Sequence, residues 1–176
     1  MGRLLSRTAL AVLALLAALG CGLAGPAAAQ AMRPPLEVSS VPATAVDGFT
    51  LTHLPPRLGP RVSDFGYKND GVAVASKVWE SGSDAAGYRV DLDVHVLRSG
   101  ERLPTIAAVR SFLAGYLDRD PADWRLSPVD VGGQVGYLGA EDVFWLACDG
   151  VAIWVSAVPA VGRDELLATA RGVRPG

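Results

Sequence analysis

The run Arg89-Val90-Asp91-Leu92-Asp93-Val94-His95-Val96 alternates polar and apolar residues, so a regular strand there puts Arg89, Asp91, Asp93 and His95 on one face. Two carboxylates and an imidazole are donor types that suit Mn, Fe or Zn, and a small metal-dependent hydrolase would need such a set. Side chains two apart on a strand face stand roughly 7 Å from each other, so a single ion would need distortion or a donor from another strand. The plainer account is a solvated face on which Lys77 and Arg89 balance the carboxylates, and the pattern favours it. His53 has the same two readings. It would have to meet His95 across a sheet to act, and a lone strand histidine beside Pro55-Pro56 is more often a surface residue.

The second group is aromatic. Apolar runs at 143–148 and 151–156 flank Asp149-Gly150, a dipeptide that makes tight two-residue hairpin loops. A regular register pairs Cys148 with Val151, Leu146 with Ile153 and Phe144 with Val155, all facing a core. Trp145 and Trp154 then become direct partners on the opposite face, among Val143, Ala147, Ala152 and Ser156. That face is too apolar to meet water unaided. Either the protein's own chain covers it, or Trp145 and Trp154 form an exposed platform for a sugar, a peptide or another protein. Self-coverage is the simpler reading, and the platform is the best lead toward a ligand.

Other catalytic signatures are missing. There is no G-x-S-x-G, S-x-x-K, H-E-x-x-H, C-x-x-C or phosphate-binding glycine loop, and Gly132-Gly133-Gln134-Val135-Gly136 lacks the spacing of a dinucleotide fingerprint. Cys148 sits in an apolar run, which predicts a buried, inert thiol; a dyad with His95 would need that thiol exposed. No catalytic residue and no cofactor is assigned. The 176 residues carry sixteen Lys+Arg against eighteen Asp+Glu, a net charge of −2, which speaks against a basic nucleic-acid binder. Fourteen of the sixteen basic residues are Arg, in an Ala-, Gly- and Val-rich chain, as a GC-rich genome would give.

The N-terminal end reads as an address. Arg3 and Arg7 precede an apolar run at 9–19, too short for the roughly 20 residues of a membrane span, and Ala27-x-Ala29 and Ala29-x-Ala31 offer cleavage sites. Residues 1–31 are therefore a signal peptide and the product is secreted, with no transmembrane segment after cleavage. The alternative is a lipoprotein, because Ala18-Leu19-Gly20-Cys21 approaches a lipobox and Cys21 would then carry the lipid as a surface anchor. Cleavage after Ala31 removes two basic residues and leaves 14 − 18 = −4, with Cys148 as the only cysteine and no internal disulfide. Residues 32–47, with Pro34, Pro35 and Pro42, read as a linker, and 48–176 as a single domain.

Within that domain, strands are predicted at 49–54, 62–67, 72–79 and 88–97, with Asn69-Asp70-Gly71 as a hairpin turn. Ile106, Val109, Phe112, Leu113, Tyr116 and Leu117 then recur at helical steps over 104–118. Short strand-like pieces, the tryptophan hairpin and a closing helix at 163–171 follow. This order predicts an α+β fold: an antiparallel sheet of about six to seven strands with two helices packed on one face.

Several segments carry a resemblance: Val46-Asp47-Gly48-Phe49, Thr52-His53-Leu54-Pro55, Val78-Trp79-Glu80, Asp120-Pro121-x-x-Trp124, and the Trp145 hairpin followed by Asp164-Glu165-Leu166-Leu167. In these the chain resembles small secreted actinobacterial proteins of unassigned function. More distantly, the opening strand and the closing hairpin plus helix are similar to the C-terminal domain of MucB/RseB-type periplasmic regulators. The resemblance implies an envelope-side domain that binds protein or lipid-like ligands, and it carries over no catalytic residue. The expectation is an exported, non-enzymatic binding module whose partner is a protein or small ligand.

Overall fold

The computed structural model describes residues 44–176. The signal segment 1–31, Cys21 and most of the expected linker lie outside the described residues. Ten strands and two α-helices run in the order β1 (Ala45–Val46), β2 (Phe49–Leu51), β3 (Arg61–Asn69), β4 (Val72–Ser83), β5 (Gly87–Arg98), α1 (Ile106–Tyr116), β6 (Ser127–Val131), β7 (Gln134–Leu138), β8 (Asp142–Cys148), β9 (Val151–Ala157), α2 (Arg163–Gly172) and β10 (Val173–Pro175). Seven strands form an antiparallel sheet in the order β3-β4-β5-β9-β8-β7-β6, and β1, β2 and β10 form a small second sheet. The fold is α+β, as the strand and helix order implies. The folded unit begins earlier than Gly48, because Ala45 and Val46 pair with Thr50 and Phe49, and Val46 is buried.

Local chemistry sets the boundaries. Asp70 and Gly71 both adopt positive φ (44° and 79°), the two-residue turn that matches strand twist, and they join β3 to β4. The Thr105 hydroxyl accepts a hydrogen bond from the Ala108 N–H and caps α1. Asp164 and Glu165 in the first turn of α2 and Arg171 in its last oppose the helix dipole.

The helices pack on opposite faces of the large sheet, not on one. On one side Leu92, Val94, Val143, Trp145, Ile153 and Val155 meet Leu166 and Ala170 of α2, with Val46, Leu51 and Val173 of the small sheet. On the other, Val74, Leu97, Phe144, Ala152 and Trp154 lie beneath Val109, Leu113 and Ala114 of α1. The cause is in β8 and β9, where consecutive residues such as Phe144-Trp145 and Ile153-Trp154 are all apolar. A strand greasy on both faces needs a cover on each.

The tryptophan hairpin departs from the expected register. An irregularity between Leu146 and Cys148 leaves Ala147 without a partner, so Trp145 lies opposite Ile153 and Phe144 opposite Trp154. One inserted residue moves everything before it to the other face. The two tryptophans therefore stand on opposite sides of the sheet, at 4% and 6% exposure, and the shared exposed platform does not exist. Cys148 keeps its expected pairing with Val151, but at the end of β8 beside the Asp149-Gly150 turn it is exposed and not a buried core thiol. Trp145→Ala and Trp154→Ala should each cost about 3–5 kcal/mol of stability, the usual toll for emptying an aromatic site in a core. Urea unfolding checks this, and a loss below about 1 kcal/mol for either would remove that residue from its core.

Candidate functional site

β5 also carries an inserted residue. Val90 pairs with Glu80 and Leu92 with Trp79, which leaves Asp91 in a bulge. Asp91 is thereby turned to the α2 side, where its Oδ2 accepts from the Gly59 N–H at 2.9 Å and its Oδ1 from the Ser81 hydroxyl at 2.9 Å and from Arg89 Nη2 at 3.2 Å. Gly59 has to be glycine for this approach, since a Cβ there would fall 1.9 Å from the Glu80 carbonyl oxygen. Burial works to raise the Asp91 pKa, but the Gly59 N–H, the Ser81 hydroxyl and Arg89 together hold it below the usual carboxylate range. Asp91 is a clasp on the β2–β3 connection.

Asp93 and His95 go the other way, to the α1 side. Asp93 lies between Val78 and Ser156, and His95 between Ser76 and Trp154. The His95 ring stacks on Trp154 with centroids 4.1 Å apart and planes 12° from parallel, and Tyr116 meets Trp154 edge-on. Neither His95 nitrogen has a hydrogen-bond partner, and burial lowers the ring's pKa to about 4. Burial, and then the Glu80 carboxylate, push Asp93 up to about 6. The Tyr67 hydroxyl is 2.5 Å from that of Tyr116; burial, this hydrogen bond and the Asp93 charge all hold it in its neutral form.

The expected triad is thus split. Asp91 faces α2, while Asp93 and His95 face α1, so the metal-ligating alternative fails on geometry. Among the described residues no group of three His, Cys, Asp or Glu side chains is placed to hold a metal. His53 is elsewhere again, with its Nε2 2.8 Å from Glu165 Oε2 on α2. Lys77 does balance a carboxylate, but that of Asp64 on β3, at 2.6 Å.

What remains exposed is the outer part of the sheet. β3 is an edge strand, and all of its residues except Ser63 are open to solvent. α1 covers Val74, Leu97 and Trp154; of the β3 side chains beyond them it meets Tyr67 through the Tyr116 hydroxyl and leaves them exposed. Phe65 (54%) and Tyr67 (39%) are exposed there, with Tyr88 and Val90 on the outer end of β5. Arg61 lies over the Tyr88 ring at 4.1 Å and pairs with Glu80. Beside this edge a groove of about 630 Å³ runs between the β3–β4 turn and α1, lined by Asp70, Arg102, Ser111, Phe112 and Tyr116. A second groove of about 410 Å³, on the α2 side, is lined by Trp145, Phe49, Val173 and Cys148. Sequence reasoning passed over Phe65 and Tyr67, although their spacing already put them on one face of a predicted strand.

Compared with known proteins, the chain matches no family model, no curated protein and no solved structure. Among the described residues no helix is long and apolar enough to cross a membrane.

The two inward carboxylates have opposite signs in stability. Asp93 has a raised folded pKa, so its contribution to stability falls as pH rises from 3.8 through about 6 and stays low above that. Asp93→Asn removes the buried charge and should raise stability above pH 6 by on the order of 1 kcal/mol after solvent screening, a gain that fades toward pH 3.8. Asp91 has a lowered pKa, so its stabilisation is present above 3.8 and is lost in acid. Asp91→Asn should weaken the fold at neutral pH and cease to matter in acid. Thermal melts across that pH range check both, and equal signs for the two variants would refute the assignment.

Proposed function

We propose that the chain is exported and works as a non-enzymatic binding module that accepts an extended polypeptide strand along the outer edge of its large sheet. The observation that carries this reading is β3: nine residues at the sheet edge, solvent-exposed almost throughout, with Phe65 and Tyr67 side by side on one face. An edge strand offers a row of N–H and C=O groups to a further strand, and alternate side chains beside it supply selectivity. The resemblance of its short motifs to envelope-side binding domains and the signal-like N-terminal segment support a module that works outside the membrane.

A heptapeptide library displayed on phage supplies the probe. Selected peptides should protect the Asp64, Gly66 and Lys68 amides from hydrogen exchange, and Phe65→Ala should weaken them about tenfold while leaving the melting temperature nearly unchanged. Peptides that protect other surfaces, or a selection that yields none, would overturn the reading.

A further inference from the structure

The composition of β3 points to a particular strand. Natural edges are usually blunted by charges that repel a neighbour. Here the charges are spaced so that the strand complements itself. Asn69 and Val72 close the two-residue turn and are therefore a hydrogen-bonded pair, so along β3 the residues Asn69, Tyr67, Phe65 and Ser63 direct their backbone groups to β4. Lys68, Gly66, Asp64 and Val62 direct theirs outward.

Two copies of β3 laid antiparallel are related by a two-fold axis perpendicular to the sheet, which places like faces together. With Gly66 opposite its own copy, Asp64 meets Lys68 of the second copy twice over, and Phe65 meets Tyr67 twice over. Shifting the centre to Asp64 sets the two Asp64 carboxylates against each other, and shifting it to Tyr67 sets Asp64 against Asp70. Centring on Phe65 leaves Asp64 opposite Gly66 and loses both ion pairs. Gly66 itself has nothing within 4 Å of the place where a Cβ would stand, so the strand is open at its midpoint.

Resting on the strand-binding reading, we infer that the partner of β3 is a second copy of this chain, paired antiparallel about Gly66 into a continuous fourteen-stranded sheet (7 + 7). The pairing brings each Asp64 carboxylate, already held by Lys77, within reach of a second lysine and covers the two exposed aromatic rings of each copy. A junction of one strand pair is small, so the dimer belongs to the micromolar class of affinity.

Sedimentation velocity of the exported chain over a range of about 1–200 μM tests the association. Dimer formation that Lys68→Glu weakens about tenfold and Lys68→Arg preserves is the expected result, because the glutamate puts like charges opposite each other at both ends. Gly66→Cys in a Cys148→Ser background reads the register. Oxidation by a glutathione redox buffer should link Gly66→Cys chains much faster than Val135→Cys chains, whose site is as exposed but lies on β7. A chain that stays monomeric at the highest concentration, a dimer indifferent to Lys68→Glu, or equal cross-linking at the two sites would each overturn the inference. If the chain is monomeric yet selected peptides still protect Gly66, the strand-binding reading survives alone; if neither occurs, both fall.

Discussion

The architecture depends on three central strands that are buried on both faces. β5, β9 and β8 carry Leu92, Val94, Ile153, Val155 and Trp145 toward α2, and Leu97, Ala152, Trp154 and Phe144 toward α1. Each buried aliphatic side chain contributes roughly 1.5–3 kcal/mol, so leaving either face open to water would be prohibitive. Both helices and the small sheet are consequences of that demand. The demand weakens outward: β3 carries Asp64, Lys68 and two half-exposed aromatics, and it stays open to solvent almost throughout.

Two inserted residues decide which side chains meet. Ala147 separates Trp145 from Trp154, and Asp91 is separated from Asp93 in the same way. In each case the insertion satisfies one need at the expense of a grouping that the regular strand would have made. At β5 the re-aimed carboxylate receives a backbone N–H, a hydroxyl and a guanidinium. At β8 the shift delivers an indole to each of the two cores.

Much of this was legible in the residues and some was not. Asp149-Gly150 and Asn69-Asp70-Gly71 announced their hairpins because positive φ restricts what can sit there, and the 3.6-residue recurrence of Val109, Leu113 and Tyr116 marked α1 within two residues of its ends. The bulges were not legible, because nothing in Leu146-Ala147-Cys148 differs locally from a regular strand; the preference comes from what lies across and beneath it. The placement of helices followed the same limit. Phe144-Trp145-Leu146 signalled two apolar faces, but an alternating template reads one face as core and leaves the other to be explained. Val46 was missed as core because β1 is only two residues long and its neighbours Ala43, Thr44 and Ala45 carry no periodicity.

The small sheet has a consequence for the order of events in folding. β2 pairs with β10, and the Thr52 hydroxyl donates to the Gly172 carbonyl 120 residues further along the chain. Leu51 gains its cross-strand partner only when Val173 arrives, and both belong to the core that α2 closes. The hairpins β3–β4–β5 and β8–β9 can form from local contacts as they emerge, but the N-terminal strands must wait for the opposite end. Closing so long a loop is an entropic step that comes late and slowly. A chain passed through a membrane pore from its N-terminus would therefore remain unlatched, and threadable, until Val173–Pro175 had cleared the exit.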